Sequence, residues 1–175
     1  MTITFVRHTS VNIPSGICYG QSEVPLAATF PQEAALVNER LKGALFDGVF
    51  TSPLRRCTLL AEACGYGDAV RDGRLMEMNF GEWEMKRYEE IEDPRLQQWY
   101  DDYLHVNATG GESFADQHRR LQDFIEEKKQ QGYRHLLVFT HGGILVHALI
   151  LAGCCPVDEA FAHQPRYGAS IRLDF

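Results

Sequence analysis

The order of apolar segments predicts an α/β domain: a mostly parallel central sheet flanked by helices, with one small helical lid excursion. Three observations carry that prediction. Short β-branched and aromatic runs, Ile3 to Thr9, Gly48 to Thr51 and Leu136 to Thr140, are too short for helices and read as buried strands. Helix-patterned segments separate these runs, the alternation that gives parallel strands joined by right-handed crossovers. All three runs end in chemistry-bearing residues: Arg7-His8, then Ser52-Pro53-Leu54-Arg55-Arg56, then His141-Gly142-Gly143. In an open parallel sheet the carboxyl ends of the strands are where ligands bind. At 175 residues with no shift in composition, the chain is expected to be one domain, 1–175.

The elements follow in order. After the first strand, Thr9 to Leu26 is a turn-rich loop with Pro14, Gly16, Gly20 and Pro25, and a loop of that length inside a compact domain is usually functional. Pro31 to Phe46 has the period of an amphipathic helix, with Ala34, Val37, Leu41, Ala44 and Leu45 on one face. Ser52-Pro53 reads as an N-cap serine followed by proline at the first helical position. The helix it opens carries Leu54, Cys57, Ala61 and Cys64 inward and stops at Gly65. Arg55 and Arg56 then fall in the first turn, where the helix dipole is already positive, a conflict that a bound anion would resolve.

Ala69 to Met78 is expected to form a further strand. Lys86 to Tyr103 is charged and aromatic, helical in pattern but broken at Asp93-Pro94, and is expected to form the lid, roughly 80–110. Gly110-Gly111 breaks the chain again, and Ser113 to Gln131 reads as a helix with Phe114, Leu121 and Ile125 inward and Gly132 as its stop. A strand to Thr140, a helix from Ile144 to Leu151 and a last strand, Ser170 to Phe175, complete the order.

Composition excludes several classes. The net charge of −7 disfavours a nucleic-acid partner, since phosphate-backbone binding needs a basic field. Five cysteines without a CxxC give no support to a zinc site or a disulfide framework, so reduced thiols and a cytoplasmic location are expected. No apolar run approaches the roughly 18 residues of a membrane span, and the first residues lack a signal-peptide pattern. GxGxxG, GxxxxGK[ST] and GxSxG are all absent. His105, His118, His135, His147 and His163 are read as ordinary structural histidines.

What stands out is the set Arg7, His8, Arg56 and His141, all placed at one sheet edge. Arginines suit a phosphoryl group through bidentate geometry, and a neutral imidazole suits in-line attack on phosphorus. A carboxyl group nearby, such as Glu77, could donate the proton that a leaving alkoxide needs. The expected partner is therefore a small phosphorylated metabolite.

Arg7-His8 after a strand, Ser52-x-Leu54-x-Arg56, Glu77 in Leu75-x-Glu77-x-x-Phe80-Gly81, and Thr140-His141-Gly142-Gly143 together resemble the histidine phosphatase (phosphoglycerate mutase-like) superfamily. The resemblance spans His8 to Gly143 and implies a metal-independent, cofactor-free phosphomonoesterase. It implies His8 as the nucleophile, Arg7, Arg56 and His141 as holders of the phosphoryl group, and Glu77 as general acid and then base. Ser10, Tyr19, Gly20, Gln21 and Gly142 are the candidates for further substrate contacts. Thr9 stands where the family usually has glycine, Val11 where a hydroxyl residue is common, Pro14 where asparagine is frequent, and Glu23 in place of an aspartate. The stretch Glu77 to Met85 and the pattern Trp99-x-x-Asp102-Tyr103-x-His105 are similar to the α-ribazole phosphatases, which implies α-ribazole 5′-phosphate of cobalamin assembly as substrate. Two other readings share these residues: a broad-specificity or sugar phosphatase (or phosphoglycerate mutase) of the same superfamily, and an inactive relative that only binds phospho-ligands or a protein partner.

Overall fold

The computed structural model describes residues 1–175. Strands β1 (Thr2–Arg7), β2 (Gly48–Thr51), β3 (Val70–Arg71), β4 (His135–Thr140) and β5 (Ser170–Asp174) form one sheet in the spatial order β3-β2-β4-β1-β5. The first four are mutually parallel and β5 is antiparallel to β1, so the α/β expectation holds with one reversed edge. Arg7 pairs with Thr140, and Thr51 with Phe139. Register alone therefore brings His8, Ser52 and His141 out together, one residue past the sheet.

Side chains alternate across the pleat, which is why near-continuous apolar runs form these strands. Ile3, Phe5, Leu136 and Val138 pack on one face with Leu121, Phe124 and Ile125 of helix α4 (Phe114–Gln130) and Ile144, Leu145 and Ala148 of helix α5 (Gly142–Leu151). Val6, Leu137 and Phe139 point the other way, against Ala34, Val37 and Leu41 of α1 (Phe30–Leu41) and Cys57, Leu60 and Ala61 of α2 (Arg55–Ala63). Cys57 and Cys64 are small core residues, as their position on the inner stripe implied.

Several boundaries differ from the sequence expectation. Helix α1 stops at Leu41, short of Phe46, because Lys42 turns extended and Gly43 takes φ +76°; Leu45 is left 87% exposed. Ser52 is not the cap of α2, which begins three residues later at Arg55 after an extended Leu54. The strand expected over Ala69 to Met78 shrinks to two residues, since the Asp72 side chain accepts the Arg74 N–H and turns the chain into a 3₁₀ turn, Gly73–Leu75. The 3₁₀ stretch Val157–His163, for which no expectation was formed, lies between α5 and β5.

The excursion is a 3₁₀ turn at Gly81–Trp83, another at Tyr88–Glu90, and helix α3 (Arg95–Asp101). It has its own small core: Trp83, Ile91, Leu96 and Ala108 with Cys18 of the long loop, flanked by Phe80, Tyr88 and Trp99. The break at Asp93-Pro94 is a junction, for the Asp93 carboxylate accepts from Arg95 N, Trp83 Nε1 and Thr109 Oγ1 at once. Those three donors hold Asp93 down to a pKa of about 2. No helix among the described residues is long and apolar enough to cross a membrane.

Candidate active site

The carboxyl end of β1 and the start of α5 border a cavity of about 380 Å³, while Arg56 and His141 are fully buried and not among its lining residues. His8 lies on its wall and is 2% exposed. Its backbone is fixed from both sides: its N–H donates to Thr140 O at 2.9 Å and its carbonyl accepts from Gly168 N at 3.1 Å. The ring Nδ1 lies 2.8 Å from Thr9 O, and a carbonyl can only accept, so Nδ1 carries the proton and the Nε2 lone pair is available. Burial, then the Arg56 and Arg7 charges, push His8 from its ordinary 6.5 down to about 3, against the Thr9 hydrogen bond. The imidazole is therefore neutral over the physiological range.

Both arginines lack a carboxylate. Arg56 is fully buried in the first turn of α2. Its guanidinium donates to Ser22 O (2.9 Å), Gly20 O and His141 Nδ1 (3.3 Å), neutral acceptors all. Arg7 donates to Pro165 O and stacks on the Tyr167 ring, 4.1 Å from Cζ to centroid, while its buried Nε has no partner. Among the described residues no ion pair neutralises either side chain. A buried cation without a counter-charge is costly, so the arrangement favours an anion at this edge.

His141, fully buried, accepts from Arg56 at Nδ1 and so bears its proton on Nε2, which donates to Ser52 Oγ at 2.7 Å. Ser52 Oγ also accepts the Leu54 N–H at 3.4 Å, so it closes a local turn ahead of α2 and does not cap the helix. Burial and the Arg56 charge hold His141 well below its ordinary pKa. Its ring packs edge-on against His8 at 5.2 Å.

Glu77 lies on the cavity wall against the main chain at the start of α5. Its Oε2 accepts from Gly143 N (3.1 Å), and Oε1 from Met78 N (2.9 Å) and Gln117 Nε2 (3.0 Å). A carboxylate at a helix N-terminus is favourably placed. The approach needs glycine: a Cβ at Gly143 would stand 2.3 Å from Glu77 Oε1. Arg120 braces the same segment through Glu77 O, Arg74 O and the Glu112 carboxylate.

The expected contacts from the long loop divide. Tyr19 lines the cavity, its hydroxyl 2.6 Å from Tyr167 Oη. Gly20 is buried behind the wall with its carbonyl on Arg56; a Cβ there would meet Met78 O at 1.9 Å. Gln21 and Ser10 do not line the cavity: Gln21 braces Glu77 O and Glu84, and Ser10 N donates to Glu33. Gly142 is buried at the start of α5 against Arg7 and Gln164. Glu84 ties the loop down, accepting from Gln21 N, Ser22 N, Ser22 Oγ and Phe80 N, and these bonds lower its pKa against the desolvation of burial. Sequence reasoning missed Gln117, Phe161, Gln164 and Tyr167, which also line the cavity. For Tyr167 a signal existed: an antiparallel last strand must begin beside the end of β1, so the residues just before Ser170 fall next to His8. The outer wall is aromatic, with Phe80, Tyr88, Trp99 and Phe161, and the buried Trp99 Nε1 has no partner. No group of three or more His, Cys, Asp or Glu side chains among the described residues is arranged to hold a metal ion.

Comparison with known proteins identifies the family of this fold. The profile of the histidine phosphatase superfamily (branch 1) matches residues 3–175. The adenosylcobalamin/alpha-ribazole phosphatase of Escherichia coli (strain K12) is 30% identical over 154 residues, 83% of this chain and 75% of that protein. Phosphoserine phosphatase 1 of Hydrogenobacter thermophilus is 25% identical over 158 residues, 86% of this chain and 74% of that one. The crystal structure of the alpha-ribazole phosphatase from Shigella flexneri superposes with a TM-score of 0.87 at 26% identity, over 99% of this chain and 90% of that chain.

Proposed function

Because the chain belongs to the histidine phosphatase superfamily and is a phosphoric monoester hydrolase, we propose that it works through a phosphohistidine on His8 and that its substrate is α-ribazole 5′-phosphate. The observation that carries the mechanism is a neutral His8 with a free Nε2, flanked by two arginines that no carboxylate neutralises. In the first step His8 Nε2 attacks phosphorus, the N–P bond forms and the ester P–O bond breaks. The leaving alkoxide takes a proton from Glu77. In the second step Glu77 removes a proton from water, the water oxygen bonds to phosphorus, and the N–P bond breaks to release phosphate and free His8. Arg7 and Arg56 offset the charge on the phosphoryl oxygens throughout.

The substrate reading is supported by the aromatic wall, which suits a flat ring. It is also supported by relatives named for alpha-ribazole phosphatase activity. A panel of phosphomonoesters tests it. Phosphate release from α-ribazole 5′-phosphate is expected to exceed that from 3-phosphoglycerate, sugar phosphates, phosphoserine and an aryl phosphate in kcat/KM. Equal rates across the panel would instead indicate a broad-specificity phosphatase.

A further inference from the structure

From Gln117 on the cavity wall beside Glu77, three polar side chains lead outward across the otherwise apolar contact between α4 and α5. Gln117 Nε2 lies 3.0 Å from Glu77 Oε1, Gln117 Oε1 lies 3.2 Å from His147 Nε2, and His147 Nδ1 lies 3.3 Å from His118 Nδ1. Gln117 is 1% exposed and His147 fully buried, packed on Phe114 at 4.1 Å between ring centroids. His118 ends the line in a second cavity on the outer surface.

The direction of every bond in this line follows from its inner end. A carboxylate only accepts, so the Gln117 NH₂ must face Glu77. The Gln117 carbonyl oxygen then faces His147, whose Nε2 must carry the hydrogen. His147 Nδ1 is left as an acceptor, and His118 supplies its Nδ1–H. Burial keeps His147 neutral, pushing it down to about 3, which is the state that the line requires. An amide turned the other way would present oxygen to the Glu77 carboxylate and repel it. The superfamily motifs quoted above include none of these three side chains.

We propose that His147 is a positioning residue for Glu77, holding the Gln117 amide with its N–H toward the carboxylate, with His118 fixing the His147 tautomer. Two buried polar groups, Gln117 and His147, in place of apolar packing are destabilising unless satisfied, and here they are satisfied in one direction only. The inference rests on the reading of Glu77 as general acid.

The test compares kcat/KM, which reports the steps up to the phosphoenzyme, on a primary alkyl phosphate and on p-nitrophenyl phosphate, whose phenolate leaves without a proton. His147→Leu keeps the volume and removes the donor. Its kcat/KM on the alkyl ester is expected to fall about tenfold, a fraction of a general acid's full effect, with less than about twofold change on the nitrophenyl ester. His147→Gln restores an N–H toward Gln117 and should recover most of the loss. Equal losses on both esters, or none on either, would overturn the proposal. Glu77→Gln is run on the same pair. If it shows the leaving-group dependence and His147→Leu does not, positioning by His147 fails alone. If Glu77→Gln shows none, the acid role fails and the proposal falls with it.

Discussion

His8, His141 and His147 are held neutral inside the protein, and burial is the first cause in each case. For His8 the Arg56 charge adds to it, so the cations that would bind a phosphoryl group also keep the His8 lone pair free. The same depression makes the fold sensitive to acid. An unfolded imidazole takes up a proton below about 6.5, whereas folded His8 and His147 do so only near 3. Their contribution to stability is complete above about pH 6.5 and is lost as pH falls toward 3, by up to about 1.4 kcal/mol per pH unit for each histidine. Urea midpoints should therefore fall steadily from pH 7 to pH 5, and less steeply in His147→Leu; a flat profile would contradict this account. At this scale the sequence exposed the residues that end strands. Arg7, His8 and His141 stand where an apolar run stops, and Glu77 was found through a motif. His147 sits within a helix buried on all sides, where no periodicity distinguishes a wired histidine from an ordinary one.

Among the elements, α2 shows how a local rule is overridden by the site. Ser52-Pro53 has the signature of a helix start, yet the helix begins at Arg55, and Ser52 Oγ accepts instead from His141 Nε2 and from the N–H of Leu54 ahead of the helix. The cap comes from elsewhere in the chain: the Glu23 carboxylate accepts the Arg55 N–H at 2.9 Å. The glutamate that departs from the family's aspartate thus meets the positive end of the helix that carries Arg56. Glu23→Ala is expected to lower stability by about 1 kcal/mol, as loss of a cap does, and to reduce kcat/KM several-fold because Arg56 lies in that first turn. Denaturant midpoints and steady-state rates measure both, and unchanged values would rule out the capping role. Such a cap between distant segments leaves no trace in local spacing, and this is why the start of α2 was placed two residues too early.

In the whole molecule, topology does most of the assembly. Parallel register between β1, β4 and β2 delivers His8, His141 and Ser52 to one edge, and a reversed β5 returns the chain past the end of β1, setting Tyr167 over Arg7. The parallel strands were legible because runs buried on both faces are continuous and apolar. The stretch from Val157 to Tyr167 was not, since it has no period and owes its place to tertiary contacts alone. The excursion from 80 to 110 was legible as a unit through its aromatic content and Asp93-Pro94, although its separate core was not. These elements converge on a single claim, that the phosphoryl group passes through His8. The direct measurement is to turn over a radiolabelled phosphomonoester, denature rapidly in alkali, and map the label. The account predicts label on His8, stable to alkali and released by acid as an N–P bond requires, and none in His8→Ala. Label on another residue, or labelling and turnover that persist in His8→Ala, would contradict it.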